Sequence, residues 1–479
     1  MQPATHPNNP VIWWIRRDLR LTDNPALDAA IASGRRILPV FIWAPDEEKP
    51  WAPGAASNWW LHHSLVALAS RLEALHAPLI IRKGPSLAAL RSIIRESGAG
   101  LVVWNRLYEP AVIARDKAIK LALRQDGLDV HSYNANLLFE PWTIATQQNQ
   151  PYQVFTPFYR NCSTYGNPSK PSPAPRHLPR LTHPPWSVPV DELGLLPALD
   201  WADGFHQYWK PGEPGARAAL DDFEAAAVTR YKSDRDRPDM TGTSRLSPHL
   251  HFGELSPRQV WYACMNAPMA EPYLRQLIWR EFAHHLLYHF PRTPDEPLRD
   301  AFRRFPWKND AKARRAWARG QTGYPIVDAG MRELWKTGWM HNRVRMIVAS
   351  FLVKDLLIPW QEGARWFWDT LVDADLANNT LGWQWAAGCG ADAAPYFRIF
   401  NPVLQAAKFD PEGTYVKTWI PTLRDLPAPD LHRVFELPPA LLARAGIELG
   451  TTYPRPIVDH KKARDAALNA YARLKGPIA

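Results

Sequence analysis

The stretch VIWWIRRDLRLTDNPAL, residues 11–27, determines the fold that this sequence predicts. Its first five residues are apolar and rich in β-branched and aromatic side chains, which is typical of a buried strand. In a standard dinucleotide-binding sheet, a G-x-G-x-x-G turn follows such a strand. Here Arg16 to Arg20 contains no glycine. The stretch therefore predicts a buried parallel strand and argues against a standard NAD site.

The same pattern recurs further along the chain. Three more apolar runs predict strands, at Ile37–Trp43, Leu79–Arg82 and Leu101–Trp104. Amphipathic spacing predicts helices between them, at Ala56–Leu75 and Ile113–Leu123. Alternating strands and helices are typical of a doubly wound parallel sheet with right-handed crossovers. We therefore predict a Rossmann-like α/β domain over residues 1–135.

A proline-rich stretch separates this domain from the rest. Nine prolines fall between Asn167 and Pro197, too many for a helix or a central strand. We predict an ordered connector over residues 136–200. Helical periodicity dominates after it and predicts an all-helical domain over residues 201–479. The clearest helices are Pro257–Met265, Tyr273–Phe290, Asp328–Thr337 and His341–Leu357.

Composition limits the class of protein. The chain has 479 residues, a formal charge of +10, 46% hydrophobic and 22% charged residues, as in a globular protein of two or three domains. It has no 18-residue apolar run, and its first ten residues do not form a signal peptide, so we expect no membrane contact. The three cysteines have no metal-ligand spacing and are too few for a disulfide framework. We therefore expect no metal site and a reducing, cytoplasmic location.

Four constellations each have a functional and a structural interpretation. The turn Gly242–Ser247 offers hydroxyls and amides to a phosphate but lacks the P-loop lysine, so it is equally typical of a loop or cap. Arg345 with the acidic stretch Asp369–Gly390 predicts a buried ion pair that serves a site or only helix packing. The 23 tryptophans are more than a core needs, although packing remains the default for most of them. Four cations near aromatic side chains suit phosphate contact with base stacking, or a solvated face: Arg235, Arg343, Arg398 and Lys408.

Several long motifs occur in order along nearly the whole chain. They are RRDLRLTDNPAL (16–27), GTSRLSP (242–248), WREF (279–282), TGYPIVDAGMREL (322–334), GWMHNRVRM (338–346), LGWQWAAG (381–388) and DAAPYFRIFNP (392–402). Together they resemble the photolyase/cryptochrome family, and within it the microbial cyclobutane pyrimidine dimer photolyases. The resemblance implies an N-terminal antenna domain and a helical domain that binds FAD.

The resemblance also implies which residues bind FAD. The phosphates would contact the 242–247 turn, Arg345 and Asp373 would flank the isoalloxazine ring, Asp375 would contact the flavin edge or ribityl region, and Asn379 would face N5. The full predicted set is Tyr231, Thr243, Ser244, Leu246, Ser247, Trp279, Arg280, Arg345, Asp373, Asp375 and Asn379. An amide at position 379 suits an enzyme that works with fully reduced flavin.

Catalysis and DNA binding are implied in the same way. Trp383, Trp360 and Trp307 match the family's electron-transfer chain, from the flavin outward. The pocket for a flipped lesion would use Trp279 and Trp385 as walls and Asn342 and Met346 as its floor. Arg235, Arg343 and Arg398 would grip phosphates without regard to sequence. The implied reaction is light-driven electron transfer from reduced FAD to the dimer, ring splitting and return of the electron. The implied partner is damaged DNA, single- or double-stranded, and the default oligomeric state is a monomer.

One position departs from the family pattern. Dimer photolyases usually carry Glu three residues before the WREF tryptophan, where this chain has Gln276. An amide donates only a neutral hydrogen bond to the lesion, so we expect less efficient repair. The (6-4) branch has two histidines where Asn342 and Met346 stand, so this chain does not match it. A cryptochrome-like photoreceptor remains the alternative function.

The antenna pigment follows from the resemblance as well. Asn105 and Glu109, in WNRLYEP, match positions where folate-binding members have contacts. The resemblance favours 5,10-methenyltetrahydrofolate, with deazaflavin or no pigment as alternatives.

Overall fold

The computed structural model describes residues 9–474, and its N-terminal part is built on one parallel sheet. The strands are β1 (Val11–Ile15), β2 (Ile37–Trp43), β3 (Ile80–Lys83), β4 (Leu101–Asn105) and β5 (Asp129–Tyr133). They pair in the order β3-β2-β1-β4-β5, all parallel. The strand order therefore reverses at β1, which confirms the doubly wound sheet.

The predicted strands agree with the observed ones to within one residue, but β5 was missed. Its sequence is Asp-Val-His-Ser-Tyr, and only Val130 is buried. A strand at the edge of a sheet needs few apolar side chains, so hydrophobic patterning gives little sign of it.

Helices cover both faces of the sheet and make up most of the chain after residue 205. Those of the α/β part and connector are α1 (Pro25–Ala32), α2 (Ala55–Ala74), α3 (Ser86–Ser97), α4 (Pro110–Gln125) and α5 (Phe155–Ser163). Those of the helical part are α6 (Glu213–Ala226), α7 (Tyr231–Asp234), α8 (Ser247–His251), α9 (Pro257–Cys264), α10 (Glu271–His289), α11 (Ala311–Ala318), α12 (Pro325–Thr337), α13 (Asn342–Ser350), α14 (Trp360–Thr370), α15 (Leu376–Ala387), α16 (Pro402–Phe409), α17 (Thr414–Trp419), α18 (Ala428–Leu431), α19 (Pro439–Arg444) and α20 (His460–Leu474). The all-helical second part is thus confirmed.

One predicted helix, His341–Leu357, is interrupted. The α-helix α13 ends at Ser350, and a π-helical turn follows over Phe351–Asp355. The apolar pattern continues through this change, so periodicity alone did not predict it. Leu357 then takes a left-handed backbone conformation (φ 54°), which ends the element and leads to α14.

The connector packs closely against both parts of the molecule. Its backbone extends the sheet, because Ile37 donates to the carbonyl of Pro179 and Val188 donates to that of Ile81. Helix α5 lies against α10, where Phe155 stacks on Trp279 at 3.7 Å. The connector therefore acts as an ordered structural layer; the predicted domain boundaries at 135 and 200 remain predictions.

Two buried polar groups join the α/β part to the helical part. Glu254, fully buried, accepts hydrogen bonds from Trp60 Nε1 (3.0 Å), Gly212 N (2.7 Å) and the Ser64 hydroxyl. Arg20, also fully buried, donates to the carbonyl oxygens of Gly253 and Ala135, each at 2.8 Å. Without the other part, Glu254 would lose the hydrogen bonds from Trp60 and Ser64, and Arg20 would lose its bond to Gly253, so the two parts stabilise each other.

Two further observations concern membranes and thiols. Within residues 9–474, no helix combines the length and the apolar composition needed to cross a bilayer. Cys162, Cys264 and Cys389 are all buried free thiols.

Candidate functional site

The turn 242–247 lies between α7 and α8 and presents its backbone to the interior of the helical part. Gly242 is required there, because a Cβ would lie 2.6 Å from Asp234. Among the described residues, no protein acceptor takes the backbone N–H of Thr243, Ser244 or Arg245. Consecutive free N–H groups of this kind form an anion-binding concavity. Leu246 is buried beneath the turn and anchors it.

The predicted ion pair is present beside this turn. Arg345 Nη2 lies 3.1 and 2.8 Å from the two carboxylate oxygens of Asp373. The Ser247 hydroxyl donates to Asp373 Oδ2 at 2.6 Å, which links the turn to the pair. Arg345 Nε also donates to the Met340 carbonyl, so the guanidinium is held in one orientation. The structure thus brings the phosphate turn and the predicted flavin-flanking residues together.

Asp375 begins α15 and fixes its first turn. Its carboxylate accepts from the backbone N–H of Asn378 at 2.9 Å. Burial alone would raise the pKa of Asp375, but His284, His251 and Arg280 hold it well below its usual value. The carboxylate is therefore ionised at neutral pH. Asn379, one turn into α15, donates its amide to the carbonyl of Ala364 at 3.0 Å, which leaves its amide oxygen free.

Tyr231 on α7 and Arg280 on α10 also belong to the predicted FAD-binding set. Tyr231 is buried and packs edge-on against Tyr273. Arg280 donates to the carbonyl of Asn136 at 2.6 Å, so the connector holds its guanidinium near Asp375. Direct cofactor contacts of these two residues remain predictions.

The residues present fit a large dinucleotide cofactor. The turn supplies free N–H groups and hydroxyls for phosphates, and the Arg345–Asp373 pair supplies a charged flank for a polar ring. Two further buried N–H groups, Arg245 Nε and Trp383 Nε1, have no hydrogen-bond partner among the described residues. Unsatisfied buried donors are costly unless a ligand or water accepts from them.

The three predicted relay tryptophans differ in depth. Trp383 and Trp360 are fully buried, and Trp307 is half-buried at the surface. Trp383 packs on α14, where Gly363 leaves room for the indole. Trp360, the first residue of α14, lies about one helical turn from Gly363. Trp307 contacts Phe305 with 4.4 Å between ring centroids. The electron-transfer role of all three remains a prediction.

Trp383 also contacts two aromatic rings of the core, one of them a tryptophan for which packing was the default interpretation. Phe367 lies 5.0 Å and Trp317 6.1 Å from it, both edge-on. Trp317 Nε1 donates to the carbonyl of Val348, as expected of a core tryptophan.

The predicted lesion pocket draws on helices α10, α13 and α15, of which α10 and α13 each pack against α15. Trp279 is half-buried, and Phe155 covers one of its faces at 3.7 Å, so only the other face is available to a base. Asn342 and Met346 lie one turn apart on α13, with Asn342 Nδ2 4.0 Å from the Met346 sulfur. Trp385 on α15 is half-buried. That these four side chains line one lesion pocket remains a prediction.

Gln276 is oriented by two neighbours. Its amide oxygen accepts from Arg235 Nη2 at 3.3 Å, and its Nε2 donates to the carbonyl of Pro272 at 3.1 Å. Both ends of the amide are thus engaged inside the protein. The Arg235 guanidinium also lies 5.2 Å from the ring of Tyr231.

The other predicted DNA-binding cations differ in their pairing. Arg343 donates to Asp236 at 2.8 Å and lies over the ring of Phe409. Arg398 is exposed and makes no side-chain ion pair within the described residues. Arg398 is therefore available to bind a phosphate directly, whereas Arg343 would first have to break its ion pair with Asp236.

The two predicted antenna residues have different surroundings. Asn105 is buried, and its amide donates to Asp18 at 2.6 Å and to Asn24 at 2.7 Å. Its side-chain oxygen accepts from Ala26 N, so contact with a pigment would have to break one of these bonds. Glu109 pairs with Arg17 at 2.6 Å.

Sequence reasoning missed a cleft between the two parts. It lies at the carboxyl ends of β1 and β2, where α14 approaches the sheet. Its lining includes Trp14, Arg17, Trp43, Glu48, Arg115 and Trp368. Arg17 lies in the family motif at 16–27, but nothing in the spacing of the other residues indicated that they meet.

Sequence reasoning also missed the role of Arg245. Its backbone is left-handed (φ 51°), and its guanidinium lies between the rings of Trp209 (4.4 Å) and Trp339 (4.7 Å). Such stacking stabilises a buried cation. It fixes the turn 242–247 from behind, a tertiary contact that local sequence does not reveal.

Known proteins resemble this chain over almost its whole length. The family model "DNA photolyase" matches residues 11–176, and "FAD binding domain of DNA photolyase" matches residues 273–473. A deoxyribodipyrimidine photo-lyase from Agrobacterium fabrum is 50% identical over 474 residues, 97% of this chain and 98% of that protein. Cryptochrome-2 from Arabidopsis thaliana is 41% identical and matches 97% of this chain and 79% of that protein. The crystal structure of a bacterial class III photolyase from Agrobacterium tumefaciens is 49% identical and covers 98% of each chain, with a TM-score of 0.95.

Proposed function

This chain belongs to the photolyase/cryptochrome family, and on that premise we propose that it is a deoxyribodipyrimidine photo-lyase that repairs cyclobutane pyrimidine dimers under light. The observation that carries the proposal is the Arg345–Asp373 pair, which Ser247 links to the turn 242–247. We propose in addition that Trp279, Trp385, Asn342 and Met346 line a recess for the lesion. A flipped, stacked pair of pyrimidines suits a recess with flat apolar walls and one amide at its floor.

The chain's own residues would bind and orient both cofactor and lesion. The turn 242–247 would hold the FAD phosphates, and Arg345 and Asp373 would flank the ring. When bound and reduced, FAD supplies the light-excited electron that opens the cyclobutane ring and then returns, with no net redox change. Trp279 and Trp385 would hold the lesion against the ring and exclude water.

DNA would be bound through its backbone. Arg398 is exposed and makes no ion pair among the described residues, Arg343 lies on α13, and Arg235 follows α7 and donates to Gln276 on α10. Contacts of this kind are independent of sequence, as a lesion-specific enzyme requires. Single-stranded DNA already has splayed bases, so the same recess would accept lesions in single- and double-stranded DNA, with the protein acting as a monomer.

The experiment that tests the proposal is repair of an oligonucleotide with one thymine dimer by the purified, photoreduced protein. Blue light should restore the intact thymines, and a dark sample should show no repair. Trp279→Ala serves as a matched variant that should retain the fold but bind the lesion weakly. Absence of light-dependent repair by the reduced protein with FAD bound would contradict the proposal.

A photoreceptor resembling the cryptochromes is the second candidate. Gln276 favours it, because that residue departs from the pattern of repair enzymes, and a plant cryptochrome is 41% identical to this chain. The same experiment separates the two functions. Light-dependent reduction of FAD without repair, unchanged in Gln276→Glu, would favour the photoreceptor.

For the antenna we propose a folate, 5,10-methenyltetrahydrofolate, with a deazaflavin as the alternative. The cleft beside β1 and β2 supports a flat pigment with an anionic tail, because Trp14, Trp43 and Trp368 offer ring faces and Arg17 and Arg115 offer charge. Mass spectrometry of pigment released from the purified protein identifies it. Arg115→Ala should lower pigment content and leave FAD content unchanged.

A further inference from the structure

The surface around Trp307 is unusually basic. Residues 300–319 contain seven Lys or Arg side chains and two acidic ones, a net +5 in twenty residues of a chain whose total charge is +10. Half of the chain's net positive charge therefore lies in one short segment. This segment begins just before Trp307 and includes α11.

The acidic partners available to this segment are already used. Arg303 pairs with Glu296 and Asp300, and Arg314 pairs with Glu362. Asp310 caps α11 by accepting from Ala313 N. Five exposed cations make no ion pair within the described residues: Arg304, Lys308, Lys312, Arg315 and Arg319. We call these five side chains the Trp307 collar.

Two members of the collar are close to the indole along the chain. Lys308 is its direct neighbour in the chain, and Arg304 is three residues away, within about 11 Å for an extended chain. Lys312, Arg315 and Arg319 recur at helical spacing on one side of α11, opposite the buried Trp317. The loop between them is fixed, because Lys308 N donates to the carbonyl of Leu357. At low ionic strength the field of such a cluster extends for tens of ångströms.

Trp307 has the geometry of an electron entry point. It is half-buried: its inner side contacts Phe305 at 4.4 Å and packs on the main helical core, and the rest faces solvent beside the collar. If the relay predicted from the family resemblance operates, the electron that moves inward leaves an oxidised indole here. A reductant from solution must reduce that indole before the relay can act again.

We infer that the Trp307 collar is a docking surface for small anionic reductants that reduce the oxidised Trp307 indole. The donor gives one electron to the oxidised indole and releases one proton to water, so its charge is unchanged and it leaves as an anionic radical. The oxidant is the light-excited flavin that removed the electron. This inference rests on the proposed function, since the relay has to run for Trp307 to be oxidised.

Three phenols of matched chemistry test the role of charge. N-acetyltyrosine is an anion, N-acetyltyrosinamide is neutral and tyrosinamide is a cation. Flash photolysis of the protein with bound FAD measures the second-order rate at which each one removes the tryptophan radical. We expect the anion to react about tenfold faster than the cation at 10 mM salt, and this difference to shrink at 200 mM salt.

The variant Lys308→Glu/Lys312→Glu/Arg315→Glu should abolish or reverse the order of the three donors. The matched control is Arg95→Glu/Lys117→Glu/Arg176→Glu, which changes the same total charge at exposed sites of the N-terminal part and should keep the order. Equal rates for the three donors, or an equal loss in the control variant, would overturn the inference. Suppression of the anion's advantage by undamaged duplex DNA would instead assign the collar to DNA phosphates.

A second measurement does not depend on the flavin. Iodide and acrylamide quench indole fluorescence as an anion and as a neutral molecule, and subtraction of the Trp307→Phe signal isolates Trp307. Iodide should quench this component more strongly than acrylamide in the parent protein, and less strongly in the collar variant. If no tryptophan radical forms under light, the proposed relay fails, and the quenching ratio still decides whether the collar attracts anions.

Discussion

Gln276 illustrates how much of the chemistry depends on the orientation of one side chain. Its amide is held between Arg235 and the Pro272 carbonyl, so its donor group points back to its own helix. From the sequence we expected an amide that offers a neutral hydrogen bond to the lesion. The structure shows that this amide donor is already used by the Pro272 carbonyl. Without a change of rotamer, Gln276 therefore offers the lesion a weaker hydrogen bond than we expected from the sequence.

Gln276→Glu should therefore raise the repair yield per absorbed photon severalfold. A carboxyl group at this position would pair with Arg235 and would offer a stronger, charge-assisted hydrogen bond to the lesion. The yield is measured with the thymine-dimer oligonucleotide at fixed light dose. Gln276→Leu is the control and should fall below the parent protein. An unchanged yield in Gln276→Glu would show that this residue does not limit repair.

Arg398→Ala should weaken binding of damaged and undamaged DNA alike. Because Arg398 is exposed and unpaired, it can neutralise one phosphate, and its loss should lower the slope of log affinity against log salt by about one. Fluorescence anisotropy at several salt concentrations measures the slope. An effect confined to damaged DNA would move Arg398 from the backbone contacts into the lesion pocket.

At the scale of elements, the contact between α14 and α15 positions the tryptophan nearest the predicted flavin site. Gly363 on α14 permits it, because a Cβ at that position would lie 2.0 Å from the Trp383 ring. Glycine is unfavourable inside a helix, so its presence in α14 is explained by this close approach. The sequence shows the glycine and the tryptophan but not that they touch.

Gly363→Ala should displace the Trp383 indole and slow light-driven reduction of bound FAD at least severalfold. Overpacking of this kind also destabilises a protein by about 1–3 kcal/mol. The control is Gly382→Ala on α15, where a Cβ meets nothing within 4 Å; it should gain about 0.5–1 kcal/mol from helix propensity. Flash photolysis and urea denaturation measure the two effects, and identical behaviour of the two variants would contradict this reading of the contact.

At the scale of the whole molecule, buried ionisable groups give stability a pH optimum. Burial raises the pKa of Glu281 and Glu333 to about 7. Each then holds a proton in the folded state that it loses as pH rises through 7, so each stabilises less at pH 8 than at pH 6. Burial lowers the pKa of His285 and His341 to about 4, so their contribution is lost below pH 6.5. The two effects offset each other between about pH 4.5 and pH 6.5, so the stability contributed by these four groups should be greatest over that range and should fall at higher pH.

The free energy of unfolding should fall by roughly 1 kcal/mol for each of the two carboxyl groups between pH 6 and pH 8. Glu333→Gln should remove about half of this fall, because the amide still accepts from Tyr415 and from the backbone of His341. Urea denaturation at pH 6, 7 and 8 measures it, with exposed Glu73→Gln as the control. An undiminished pH dependence in Glu333→Gln would show that this carboxyl group is ionised throughout.

How much of this structure could be predicted from the sequence depended on how far apart along the chain the interacting residues lie. Local patterns located four of five strands and the change from α/β to all-helical structure, because hydrophobic periodicity is a local property. The motif resemblance identified the turn 242–247 and the Arg345–Asp373 pair. Contacts between distant segments were not predictable: the stacking of Phe155 on Trp279, Arg245 between two indoles, and the cleft against β1 and β2.

The buried groups that join the two parts have a consequence for recombination. Glu254 and Arg20 each make hydrogen bonds across the interface, Glu254 with Trp60 and Arg20 with Gly253. A chimera that takes its N-terminal half from a distant relative would lose these hydrogen bonds of a buried ionic group, unless the partner residues on both sides of the interface were exchanged together. The molecule is therefore expected to be inherited and engineered as one piece, despite its two architectures.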